Sequence, residues 1–118
     1  MEIDKRGDAR AAAARLALAV HAYRGAIEAF VQLEWDPERY RTAADLFAHV
    51  EADAARLPAV QLEWLEVLIS RFEFTHAWWE ARLATKDTGR LSIHQGRHLG
   101  ALERLLAGCA KYGRNAQS

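Results

Sequence analysis

The sequence has a single cysteine, Cys109, and so cannot close an intrachain disulfide or supply a thiolate zinc cluster. It has no excess of either charge: 16 basic and 16 acidic residues cancel, which excludes a globally basic nucleic-acid binder and a strongly acidic solvating chain. It lacks long apolar runs. The longest uncharged stretch, Leu16 to Tyr23, is far short of the roughly 20 residues a membrane span needs, so no membrane partner is expected. Met1 to Arg10 is charged and has no signal-type apolar core, which makes a cytoplasmic protein the expectation. Strand formers are scarce: valine, isoleucine and threonine together number 13, against 24 alanines. No phosphate-cradling glycine loop and no GxSxG occurs, and no catalytic residues are assigned.

What is present is helical. In 118 residues that are 51% hydrophobic there is material for one domain, spanning 1–118 with frayed ends at 1–7 and 114–118. Only two prolines, Pro37 and Pro58, punctuate it. The periodicity predicts helices near 8–34, 37–56, 58–85 and 92–112, joined by short connections, and hence an all-α antiparallel four-helix bundle. Leu16, Val20, Tyr23, Ile27, Phe30 and Val31 form the apolar face of the first, with Asp8 as a candidate cap. Asp36, Pro37 and Glu38 open the second, whose apolar face runs through Tyr40, Ala43, Ala44, Phe47, Val50, Ala54 and Leu57. Lys86 to Gly89 reads as the exit of the third. Ser92-Ile-His-Gln95 reads as a capping box opening the fourth. The pentapeptide VQLEW occurs twice, at 31–35 and 60–64, once at a helix end and once at a helix start, so it is no structural repeat.

The third helix has more apolar surface than a small bundle requires. Leu65, Leu68, Ile69, Phe72, Trp79 and Leu83 form one stripe, expected to face the core. Val60, Trp64, Val67, Phe74 and Trp78, with Arg71 beside them, form a second, expected to cover an interface. Large exposed apolar patches are uncommon on monomers, and a homodimer is the usual way to bury one. Glu63, Glu66, Ser70, Glu73 and Glu80 complete the circumference as a polar strip. The function expected from this excess is a small, non-enzymatic interaction or accessory module that needs no cofactor and self-associates, most simply as a dimer, or docks a protein partner through helix three. On helix four, Gly96, Gly100 and Ala107 share a side that would admit another helix closely.

Two chemical alternatives rest on histidines. His94 and His98 are spaced i, i+4, as are His76 and Glu80, so His76, Glu80, His94 and His98 are the candidate metal ligands. Each helix has a histidine, but His21 and His49 fall about 130° from their helices' apolar centres. There is one ExxH, Glu73 to His76, where a carboxylate di-iron bundle needs two. His98 is in line with Leu91, Leu102, Leu105 and Cys109, which predicts a buried imidazole and an inert buried thiol.

The run Arg71-Phe-Glu-Phe-Thr-His76 is similar to the R-x4-H spacing of the HEPN ribonuclease superfamily, which is helical and often dimeric. That resemblance implies an arginine and a histidine, here Arg71 and His76, at a dimer cleft acting on an RNA phosphodiester. Phe72 stands where the family usually has a polar residue. From Arg82 onward there are seven basic residues and two acidic ones. This basic end could contact nucleic acid, with Arg97 and Arg104 on it, or balance the acidic strip of helix three.

Overall fold

The computed structural model describes residues 5–29, 36–84 and 89–115. The chain is an all-α four-helix bundle: α1 (Lys5–Glu28), α2 (Pro37–Ala54), α3 (Gln61–Ala84) and α4 (Gly89–Asn115), with a 3-10 turn, Pro58–Val60, leading into α3. Phe30, Val31 and the first VQLEW copy lie outside the described residues, as do Lys86 to Thr88 of the expected α3 exit. No helix among the described residues is long and apolar enough to cross a membrane.

The helix ends follow local chemistry. Asp36 is the N-cap of α2: its Oδ1 accepts from the amides of Glu38 (3.0 Å) and Arg39 (3.3 Å), and Pro37 occupies the first turn, where no amide is needed. At the other end, Gln61 Nε2 donates to the carbonyls of Ala54 (2.8 Å) and Leu57 (3.1 Å), adding a second donor to each and tying the α2–α3 turn to the start of α3. Asp36→Ala is expected to cost about 1 kcal/mol, with Asp36→Ser recovering most of it, in thermal unfolding. Two expected caps are corrected. The first helix already includes Lys5, so Asp8 falls in its first turn instead of preceding it. The fourth begins at Gly89, so Ser92 and Gln95 are helical and form no capping box. Gln95 Nε2 instead donates to the carbonyl of Ile27 at 2.9 Å, where it ties α4 to the end of α1.

Within the bundle α1 packs between α2 and α4, and α4 packs on α3. The fourth side, between α2 and α3, is closed by large side chains: Phe47 stacks on Trp64 at 5.4 Å, with Tyr23 of α1 tilted against Phe47 at 5.1 Å. The core runs through Leu16, Val20, Tyr23 and Ile27, then Phe47 and Val50, then Val60, Trp64, Val67, Phe74 and Trp78, and finally Leu91, Leu102 and Leu105. Gly108 is the close approach on α4: a Cβ there would meet Val60 Cγ1 at 3.2 Å. Gly96 has open space around it and Gly100 only an arginine tip at 3.6 Å, so neither glycine is required by packing within the chain.

The α3–α4 seam has a charge ladder. Glu66 pairs with Arg104 at 2.8 Å, Glu73 with Arg97 at 4.0 Å and Glu80 with Arg90 at 3.6 Å. The acids step by seven up α3 while the arginines step by seven down α4, which is an antiparallel register with a heptad period. Exposed pairs of this kind contribute little stability individually. Their regularity fixes which edge of α3 faces α4, and it accounts for much of the basic end by neutralising it against the acidic strip.

Candidate functional site

α3 has two apolar faces, and the structure reverses their expected assignment. Val60, Trp64, Val67, Phe74 and Trp78, read from sequence as the interface, are buried in the chain's own core at 8% exposure or less. Arg71 is half-buried beside them, its guanidinium 4.0 Å from the centre of the Phe47 ring. The stripe read as core faces outward: Leu65, Leu68, Ile69, Phe72, Trp79 and Leu83 are exposed, Phe72 by 74% and Leu83 by 80%. The physical reason lies on the inner face, which has the small or polar residues Ser70, Ala77 and Ala81 where α4 comes close, and which supplies the hydroxyl that a buried histidine needs.

The outward face is ordered. Leu62, Leu65, Ile69, Phe72, His76, Trp79 and Leu83 follow one another at alternating steps of three and four, the a/d pattern of a coiled-coil seam sustained over three heptads. Its one polar member is His76, which stacks on Phe72 with the planes 6° apart and lies 3.4 Å from Glu80. The rungs Glu66, Glu73 and Glu80 occupy one flank, each beside its arginine from α4, so that flank presents paired charges instead of a row of carboxylates. Next to it a shallow groove of about 500 Å³ runs between α3 and α4, with Ile69 and Ile93 on its sides and Gly96 and Gly100 along it.

His98 is at the centre of the bundle and fully buried. Tyr23 Oη is 2.7 Å from its Nε2, and Ser70 Oγ is 2.8 Å from its Nδ1. Ser70 donates its one proton to the carbonyl of Val67 at 3.0 Å, so it can only accept from the imidazole. The proton is therefore on Nδ1, and Nε2 accepts from the Tyr23 hydroxyl. The resulting chain from Tyr23 through His98 and Ser70 to Val67 satisfies every polar atom of a neutral ring. Burial, with the positive charge of Arg71 nearby, lowers the His98 pKa to about 4. Burial likewise raises the Tyr23 phenol above its ordinary value. Cys109 is buried, its thiol pushed up to about 11 by desolvation and by Glu63, and so it is unreactive.

The four candidate metal ligands do not form one site, although His76, Glu80 and His94 line a small pocket with Glu73 and Arg90. His98 is committed on both nitrogens inside the core; His76 and Glu80 lie on the outer face of α3; His94 Nδ1 lies 3.4 Å from Glu73. Among the described residues no three of His, Cys, Asp or Glu are grouped to hold a metal ion. Arg71 and His76 of the R-x4-H run point to different sides of α3, the first inward over Phe47 and the second outward beside Phe72. His21 and His49 are exposed. Compared with family models, with curated proteins and with solved structures, the chain matches none.

Proposed function

We propose that this chain is a non-enzymatic interaction module that self-associates through the outer face of α3, two copies burying the 62–83 seam against each other. The observation that supports this reading is the a/d spacing of six large apolar side chains, interrupted by His76 alone, on a face pointing away from the chain's own core. The exposed part of this stripe is on the order of 800 Å², what one partner contributes to a standard interface and more than the largest patch of a typical monomer. A single stripe can be its own complement under a twofold axis. Its charged flank is already neutralised rung by rung, so approach of a second copy does not set bare carboxylates against each other. His76 is the one seam position where a polar group would favour one register over the shifted ones.

The test is the mass of the chain in solution. Light scattering or sedimentation from low to high micromolar concentration is expected to show a dimer dissociating on dilution. A monomer throughout that range overturns the reading.

A further inference from the structure

On the side of α3 turned away from the seam lies a pocket between α1, α2 and α3, walled by Tyr23, Tyr40, Phe74 and Trp78, with Thr75 at its edge and Arg71 in its lining. Its enclosed space is about 40 Å³, room for roughly three waters or one carboxylate-sized group. A ligand body larger than that lies in the open mouth, which brings the space to about 430 Å³ with solvent included.

Arg71 sets the chemistry of this pocket. Arg24, Arg39, Arg90, Arg97 and Arg104 each have a carboxylate within 4.0 Å. Arg71 is half-buried, and among the described residues no carboxylate pairs with it. It is held over the Phe47 ring and beside the Tyr23 hydroxyl. A partly desolvated guanidinium without a counter-ion is costly for the fold and well prepared for an anion, because it offers paired N–H donors to a planar carboxylate. Among the described residues no acidic side chain lines the pocket, so a cationic or zwitterionic ligand would meet Arg71's repulsion there. The walls around it are aromatic rings, which favour a flat apolar body over a flexible or sugar-like one.

We propose that this pocket binds a small aromatic monocarboxylate, with the carboxylate on Arg71 and the ring in the open mouth against the aromatic wall. The Tyr23 hydroxyl donates to His98 and is not required as a donor to the ligand. The site does not depend on self-association, since none of its lining residues belongs to the outward seam.

The experiment titrates the full chain with benzoate, and separately with benzamide as the uncharged isostere. It follows amide chemical shifts by NMR and tryptophan fluorescence, for which Trp78 in the wall is the reporter. Saturable benzoate shifts at the pocket are expected, with benzamide weaker on the order of tenfold or more. Arg71→Leu is expected to lose benzoate binding to the same extent, and Arg71→Lys to retain part of it. Equal binding of benzoate and benzamide, shifts centred elsewhere, or no saturation by about 10 mM benzoate overturns the proposal. The wild-type comparison of the two ligands decides it even if Arg71→Leu does not fold.

Discussion

Acidification from pH 7 to pH 4 is expected to remove about 3 kcal/mol of stability through His98 alone. The folded chain holds this imidazole neutral, with a pKa lowered to about 4 by burial and by the charge of Arg71, against an ordinary value near 6.5 when unfolded. Between those two values the unfolded chain binds a proton that the folded chain refuses. Stability therefore rises with pH by about 1.4 kcal/mol per unit through that window and is flat above it. Protonation would place a charge at a fully buried site, and Nε2 would lose its role as acceptor for Tyr23. In thermal unfolding this amounts to a fall on the order of 10 °C. Exposed carboxylates add their own acid dependence, so the decisive quantity is the difference between the wild type and His98→Leu. That variant is less stable at pH 7, because Tyr23 loses its acceptor, at a cost of about 1–3 kcal/mol. It should also lose the extra slope between pH 6.5 and pH 4. Equal slopes for the two proteins in urea unfolding would remove the buried neutral imidazole from the account.

The arrangement of helices, but not the facing of α3, was legible in the sequence. Asp36 and Pro37 announce the start of α2, and Pro58 its end, because each acts on the backbone within one turn. The position of His98 in line with Leu102, Leu105 and Cys109 predicts its burial, and the structure buries it. Periodicity finds both apolar stripes of α3 but has no means of choosing between them, since each satisfies the same spacing. The Leu65 to Leu83 stripe is the one expected at the core. The core instead took the stripe whose neighbours are small, since Ser70, Ala77 and Ala81 admit α4. Two signals in the residues could have settled the choice. Glu66, Glu73 and Glu80 step by seven and mirror Arg104, Arg97 and Arg90, which identifies the edge shared with α4. A buried histidine also needs polar partners, and Ser70, grouped by sequence with the polar strip, lies on the inner side of that edge. The anion pocket was not legible, because it assembles Tyr23, Tyr40 and Arg71 from three helices.

Phe72→Asp is expected to leave the monomer folded and abolish self-association, whereas Val67→Asp, five residues earlier on the same helix, is expected to unfold it. Both positions are apolar and both lie within α3, so composition and helix propensity do not distinguish them. Their surroundings do. Phe72 is 74% exposed and contacts the His76 ring, so a carboxylate there is solvated in the monomer and costs little. In the proposed dimer it would be desolvated near the middle of the seam and would meet its symmetry mate's apolar side chains. Truncating a central aromatic anchor loses about 2–4 kcal/mol, and the buried charge adds to that, so the dissociation constant should rise by roughly two to three orders of magnitude. Val67 has no exposed surface and lies one turn before Ser70, against the centre of the bundle. A carboxylate there has no water, and Arg71 one turn on, held over Phe47, offsets only part of its desolvation, so the cost consumes most of the roughly 5–15 kcal/mol margin of a small domain. Circular dichroism should show native helicity for Phe72→Asp and its loss for Val67→Asp, while sedimentation of Phe72→Asp should give a monomer at concentrations where the wild type is dimeric. A Phe72→Asp protein that still sediments as a dimer would mean that some other surface joins the copies. A native-like Val67→Asp would mean that α3 presents the opposite face to the bundle.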